Sequence, residues 1–193
     1  MAEALSRESP LAGFEAGTDG RDPRIAERSG LGQINVRGVG GPSFCQAVEE
    51  ALGLTPPEAG RAATAGPVTM LWLGPDEWLV VAEDGGATLG GSLRRALTGI
   101  NAAITDVSDA RAVIRLSGCG AGDVLAKGCT LDLHPRVFGP GHVVQSTLAR
   151  VDVILVQVSG DGDLAFDIHV GRSFAEYLWL WLEDARRNFH ACR

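Results

Sequence analysis

The sequence predicts an α+β protein made of two pseudo-repeated strand-helix-strand-strand-helix units with mostly antiparallel sheets. Short apolar runs typical of strands are interrupted by segments with helical spacing of apolar residues, without the strict strand-helix-strand alternation of a doubly wound fold. Several consecutive strands are joined by tight turns. In addition, a shift of about 80 residues places Ile34 on Ile114 and Gly38 on Gly118. We therefore expect one globular domain over residues 31–193, with pseudo-repeats at about 31–107 and 110–190.

The composition is that of a globular protein and excludes some classes of partner. The chain has 193 residues, of which 45% are apolar and 21% charged, enough to bury a sizeable core. Its net charge of −7 argues against nucleic acid and against an anionic membrane surface, since no stripe of lysine and arginine is present. No apolar run approaches the roughly 18 residues of a membrane span, and no signal peptide is recognised. We therefore expect a cytoplasmic protein.

The four cysteines, Cys45, Cys119, Cys129 and Cys192, contain no CxxC pair. A structural zinc site is therefore not predicted, and buried free thiols in a reducing compartment are expected.

Residues 1–30 lack apolar periodicity and predict a flexible N-terminal tail, or an arm that orders only against a partner. Leu11 and Phe14 are the side chains that could anchor such an arm.

The first unit begins with a predicted strand at Gln33–Arg37. A helix should follow between Pro42 and Gly53, because proline suits a first helical turn and glycine a left-handed helix end. Residues 54–66 are rich in proline, alanine and glycine and predict a loop. The remaining elements are a hairpin of Val68–Leu73 and Trp78–Ala82 around the turn Gly74-Pro75-Asp76-Glu77, a helix over 88–99 and a strand over 101–107.

The second unit repeats the order of strand, glycine turn and helix. Further strands are predicted at Val143–Arg150, Val151–Val158 and Leu164–Val170. Ser173 and Glu176 form a capping-box pattern at the start of the final helix. Its apolar stripe comprises Phe174, Tyr177, Leu178, Trp181, Leu182 and Ala185. Trp179 and Leu180 lie off this stripe, so we expect a second buried contact, either within the chain or with another subunit.

Motifs that could carry chemistry are weak. The glycines of Gly118-Cys-Gly-Ala-Gly122 do not have the spacing of a dinucleotide fingerprint and predict a tight turn. Asp161-Gly-Asp163 lacks the glutamate that closes a calcium loop, because Arg172 occupies that position. Asp132 and His134 could approach each other, but a solvated loop is favoured. No activated serine or cysteine is apparent.

Several blocks, in order, are similar to one known family. They are Leu73-Gly-Pro-Asp-Glu-Trp-Leu79, Thr105-Asp-Val-Ser-Asp-Ala-Arg111, Val113–Gly118, Leu125-Ala-Lys-Gly-Cys129, Leu131-Asp-Leu-His-Pro135 and Gly171–Leu182. Together they resemble the gamma subunit of heterotetrameric sarcosine oxidase over about residues 30–190. Asp106-Val-Ser108 and Arg115-Leu-Ser-Gly118 also resemble blocks of the folate-binding domain of aminomethyltransferases, which is built from duplicated α+β units.

The resemblance implies a subunit of an alpha–beta–gamma–delta complex that oxidises sarcosine to glycine and forms hydrogen peroxide and 5,10-methylenetetrahydrofolate. It implies FAD, FMN, NAD and tetrahydrofolate on the large alpha and beta chains, zinc on the delta chain, and no catalytic, cofactor-binding or metal-binding residue here. Direct contact is expected with the alpha subunit. The candidate partner-interface residues are Trp179, Leu180, Leu11 and Phe14.

Two other functions remain as alternatives. One is a free-standing folate-binding enzyme or tRNA-maintenance-type factor. Lys127-Gly-Cys129 is followed by threonine, where the tRNA-maintenance branch has tyrosine, which argues against that alternative. The other is a homo-oligomeric scaffold without a small-molecule site.

Overall fold

A computed structural model describes residues 8–14, 22–83, 85–86, 88–159 and 164–189 of the chain. Over these residues the chain forms two five-stranded antiparallel sheets that stack face to face. Helices cover the outer face of each sheet. None of the helices in the described part of the chain is long and apolar enough to cross a membrane.

The first sheet belongs almost entirely to the first half of the chain. Its strand order is β3 (Ala62–Ala65), β4 (Val68–Gly74), β5 (Glu77–Ala82), β2 (Gly32–Gly38) and β6 (Ala102–Asp106). The helices α1 (Pro42–Leu52) and α2 (Leu89–Ala96) pack on its outer face. Gly53 ends α1 in the left-handed conformation, as predicted, with φ of 69°. β3 lies in the segment that was predicted to be a loop, where small residues give no periodic signal.

The second sheet has the corresponding strand order. Across the sheet this order is β8 (Val143–Leu148), β9 (Val151–Ser159), β10 (Leu164–Gly171), β7 (Arg111–Ser117) and β1 (Arg24–Glu27). The short helix α3 (Ala121–Ala126) and the final helix α4 (Ala175–Ala185) cover its outer face. The predicted strands of both units are therefore confirmed, apart from one or two residues at their ends. Residues 160–163, between β9 and β10, lie outside the described residues.

Each sheet is completed by a strand from the other half of the chain. β1 pairs with β7, where Ile25 lies opposite Leu116, and β6 pairs with β2. A shift of about 80 residues carries β1 and β2 onto β6 and β7. The crossing segments are held by equivalent bonds: the Arg28 N–H donates to the Val113 carbonyl at 2.9 Å, and the Val107 N–H to the Gln33 carbonyl at 2.8 Å. The two halves thus exchange their first strands.

This exchange corrects the predicted boundary at residue 30. Residues 24–27 are a paired strand, and Leu11 and Ile25 are each 1% exposed within the core of the second sheet. The expectation of a flexible tail is therefore wrong for residues 8–14 and 22–30. Residues 1–7 and 15–21 lie outside the described residues.

The apolar core has three parts, which explains why both faces of each sheet are apolar. One part lies between the first sheet and α1 and α2, with Trp78 stacked on Phe44 at 5.2 Å between ring centroids. A second lies between the second sheet, α3 and α4. The third lies between the sheets and includes Leu71, Leu79 and Ile154. Trp78 is 5% exposed and therefore belongs to the core.

Candidate functional site

The final helix has a buried face that differs from the predicted one. A single 3₁₀ turn at Arg172–Phe174 precedes α4, and no side chain caps the helix, so the predicted capping box is wrong. The buried residues of α4 are Ala175, Leu178, Trp179, Leu182 and Ala185. Phe174 and Tyr177 are instead 52% and 47% exposed. The wide apolar surface of this helix allowed two orientations, and burial of Trp179 selects one of them.

The second buried contact expected for α4 is intramolecular. Trp179 is 2% exposed and its ring lies 5.9 Å from that of Phe14. Leu11, from the same N-terminal segment, is buried in the same cluster. The segment is anchored by Arg172 Nη2, which donates to the Glu8 carbonyl at 2.7 Å, and by the Ser9 hydroxyl, which donates to the Glu27 carboxylate.

The predicted interface is therefore corrected at two of its four residues. Leu11 and Trp179 are covered by the chain itself, so neither offers surface to a partner. Phe14 is half-buried over Trp179, and Leu180 is 54% exposed. These last two remain predictions as interface residues.

An apolar strip runs along the outer side of the final helix. It consists of Phe174, Tyr177 and Leu180, which lie three residues apart and so on neighbouring positions of one helical side. We call these three residues the exposed helix strip. The Tyr177 hydroxyl donates to the Ala149 carbonyl at 2.8 Å, which ties the strip to the turn between β8 and β9.

A cleft of about 590 Å³ lies beside this strip. We call it the arginine cleft, because Arg111 and Arg150 line it together with Phe174, Gln145 and Asp152. Arg111 is half-buried and Arg150 exposed. The lining of the cleft thus includes two arginines and two aromatic rings, those of Phe174 and the buried His169.

Besides the arginine cleft, the described residues include a group of polar side chains that lies between the two sheets. Asp167 is 5% exposed and accepts hydrogen bonds from Arg115 Nε at 2.7 Å and from Arg28 Nη1 at 2.9 Å. Arg28 also pairs with Glu83 at 2.7 Å. Burial opposes ionisation of Asp167, but the hydrogen bond and charge of Arg115, with the charge of Arg28, outweigh it and lower the pKa of Asp167. Although a cleft of about 420 Å³ opens here, its charges neutralise one another.

His169 lies at the centre of the inter-sheet layer. It is 3% exposed, and its Nδ1 lies 3.3 Å from Gln33 Oε1 on the other sheet. Burial, the largest cause, lowers the pKa of His169 to about 4, so the imidazole is neutral at pH 7. A neutral imidazole donates from Nδ1 to the amide oxygen and links the two sheets.

This buried group was not predicted from the sequence. Its signal is Asp167 and His169, two residues apart inside an otherwise apolar strand. Such spacing places both side chains on one face of the strand.

The motifs considered for chemistry are structural. Gly118 has a φ of 121°, and a Cβ there would lie 1.5 Å from Asp22 Oδ1, which confirms the tight turn. Asp132 accepts from the backbone N–H of His134 at 3.0 Å, and His134 Nδ1 accepts from the Arg136 N–H at 3.2 Å, so the pair forms a loop. No group of potential metal ligands occurs in the described ranges. Cys119 is disulfide-bonded, which corrects the expectation of four free thiols.

Two stacked antiparallel sheets flanked by helices define the class of fold. Glycine cleavage system aminomethyltransferase T from Bartonella henselae shares it, with a TM-score of 0.61 at 18% identity over 82% of this chain and 44% of that chain. This likeness concerns the fold alone and confirms the predicted α+β class. The sarcosine oxidase, gamma subunit family matches residues 37–188, and the chain belongs to this family.

Relatives of this family match most of the chain. The gamma subunit of sarcosine oxidase from an Arthrobacter species is 39% identical over 159 residues, 81% of this chain and 76% of the relative. That of Corynebacterium sp. strain P-1 is 37% identical over 192 residues, 98% of this chain and 88% of the relative. A chain of heterotetrameric sarcosine oxidase from Corynebacterium sp. U-96, solved with pyrrole 2-carboxylate, has a TM-score of 0.86 at 32% identity over 97% of this chain and 98% of that chain. The predicted resemblance is confirmed.

Proposed function

We propose that this chain is a noncatalytic subunit of a heterotetrameric sarcosine oxidase and packs against the alpha subunit. The complex demethylates sarcosine oxidatively to glycine, with formation of hydrogen peroxide and 5,10-methylenetetrahydrofolate. The observation that carries this proposal is the near end-to-end likeness to one chain of a heterotetrameric sarcosine oxidase. FAD, FMN, NAD, tetrahydrofolate and zinc belong to the other subunits in this proposal.

The polar side chains of the chain support a noncatalytic role. The pKa values of Asp167 and His169 are both lowered by their surroundings in the fold. Both residues are buried between the sheets, where Asp167 bonds to Arg115 and His169 bonds to Gln33. A general base needs a substrate within hydrogen-bond reach. The Asp167 carboxylate instead accepts hydrogen bonds from arginines of its own chain, and His169 is hydrogen-bonded to a residue of the facing sheet. Both are structural groups in this proposal.

The proposal is tested by assembling the enzyme with and without this chain. We expect co-expression of all four subunits to give one complex on size exclusion with light scattering, active in sarcosine-dependent oxygen uptake. Without this chain, the remaining subunits should give an unstable or incomplete complex. An equally stable and fully active complex of the other three subunits would contradict the proposal. Cross-linking with mass spectrometry identifies the contacted subunit, and alpha is the expected one.

A catalytic contribution is tested separately. In the assembled enzyme, His169→Gln should leave kcat within about twofold, because the side chain contacts no substrate in this proposal. A loss of kcat of a hundredfold with an intact complex would assign chemistry to this chain. Calorimetry with tetrahydrofolate and the chain alone tests the folate-binding alternative, for which binding heat is the expected sign.

A further inference from the structure

We infer that the arginine cleft and the exposed helix strip form one docking site for an acidic segment of a partner subunit. In this site a partner carboxylate lies between Arg111 and Arg150, and a partner apolar side chain packs on Phe174. The inference rests on the proposed function, since it specifies which surface recognises a partner and by what chemistry.

The local charge of the cleft is opposite to that of the chain. The chain carries a net charge of −7, whereas the cleft is lined by two arginines and a single acidic residue, Asp152. An acidic partner is repelled by most of such a protein and attracted at this recess. Charge complementarity of this kind sets both the orientation of a complex and its rate of formation.

The guanidinium groups of the cleft are available to a ligand. Within the described ranges, no carboxylate forms a salt bridge with Arg111 or Arg150. Glu77, the neighbouring acid on the first sheet, is already bonded to Arg37 at 2.6 Å and to Asn35 at 2.7 Å. The hydrogen bond from Arg37 is the main cause of the lowered pKa of Glu77, and Arg111 contributes only through its charge. Arginine forks that lack an acceptor match carboxylate oxygens.

The backbone that presents Arg150 is strained and held in place. Ala149 and Arg150 have φ of 51° and 73°, in the left-handed region where two-residue hairpin turns normally use asparagine and glycine. The Ala149 N–H donates to the Gly128 carbonyl at 3.1 Å, and its carbonyl accepts from Tyr177. Glycine would suit position 150 better for stability alone. An exposed arginine at a strained position therefore points to a role outside the fold.

The exposed helix strip supplies the apolar part of the same surface. Phe174 lines the cleft itself, and Tyr177 adjoins it through its bond to Ala149. Leu180 extends the strip along the helix and is 54% exposed. Aromatic and arginine side chains together are the composition enriched at the centres of protein interfaces.

The test measures dissociation of this chain from the co-expressed four-subunit complex, by light scattering over a dilution series at low and high salt. The variant Arg111→Gln/Arg150→Gln should bind at least about tenfold more weakly at low salt and show a weaker dependence on salt. The matched control is Arg95→Gln/Arg136→Gln, which changes the same charge at exposed arginines outside the cleft lining and should bind as wild type.

A second variant separates binding from folding. Arg150→Gly relieves the left-handed strain, so its melting temperature should rise by about 2–4 °C while its affinity for the partner falls. If both cleft variants bind as wild type with unchanged salt dependence, the inference is overturned and the proposed function stands. If the wild-type chain itself does not bind the other subunits, the proposed function is overturned instead.

Discussion

Replacing Leu11 with alanine is expected to destabilise the chain by about 2–4 kcal/mol. Leu11 is 1% exposed and packs into the core of the second sheet, beside the helix that carries Trp179. Removing its side chain loses about 1.5–3 kcal/mol of apolar transfer free energy and leaves a cavity. Because residues 8–14 lie at the surface and can partly close that cavity, the lower part of the range for leucine-to-alanine changes applies.

The assay is urea unfolding of the full chain, followed by circular dichroism and tryptophan fluorescence. With a slope of about 2 kcal/mol/M, the midpoint should fall by about 1–2 M. The matched control is Leu180→Ala, because this leucine is 54% exposed and its loss should change stability by less than about 0.5 kcal/mol. Equal midpoints for Leu11→Ala and wild type would mean that the N-terminal segment is not docked, and would refute the account of the buried Trp179.

Three further substitutions test other contacts. Asp167→Asn should reduce the free energy of unfolding by about 2–4 kcal/mol at pH 7, measured by urea unfolding. Because the pKa of Asp167 is lowered in the fold, the carboxylate stabilises the protein above the ordinary carboxyl pKa, and this stabilisation is lost as the pH falls below it. Equal stability of variant and wild type at pH 7 would contradict the hydrogen bonds assigned to Asp167. The wild type should lose stability between about pH 6.5 and 4, because the buried His169 has a pKa of about 4 and protonation is easier in the unfolded chain. His169→Gln should reduce this loss, whereas the control His134→Gln should not. A wild type whose stability does not fall over this pH range would refute the burial argument. Gly128→Ala should lower the melting temperature by at least about 3 °C in calorimetry, because its Cβ would lie 2.6 Å from the Trp181 ring; an unchanged value would show that the ring moves freely.

The local structure could be predicted at residues whose type strongly favours one backbone conformation. Gly53 ends a helix because it adopts a left-handed conformation, and Pro75 fits the turn between two apolar strands. Neither depends on distant contacts. The repeat at about 80 residues was visible because equivalent strands and glycine turns occupy equivalent positions in both halves.

The exchange of strands could not be predicted, because β1 offers almost no local signal. Arg24–Glu27 has four residues, of which only Ile25 is buried. Its place is set by pairing with Arg111–Ser117, almost 90 positions away in the sequence, and not by periodicity. The orientation of the last helix was misassigned for a related reason: apolar residues surround most of that helix, and the contact that selects its buried face comes from the unpatterned segment at Leu11.

The candidate site was predictable only in part. Leu180 drew attention because it lies off the main stripe, and it is indeed exposed. Arg111 and Arg150 were not predicted as site residues, because the sequence alone does not distinguish a binding arginine at a strand end from a solvated one. Their significance depends on the left-handed turn at Ala149 and on the lack of described carboxylates bonded to them, which are properties of the folded chain.

The distribution of contacts also limits where a partner can act. The facing sheets are joined by an apolar layer and by the His169–Gln33 contact, and their outer faces are covered by helices. The N-terminal segment covers Trp179 as well. Access to a sheet face would require separating the two sheets or removing the helices that cover them. Recognition by this subunit is therefore expected at the outer surface, where the exposed helix strip supplies apolar area and the adjoining arginine cleft supplies positive charge.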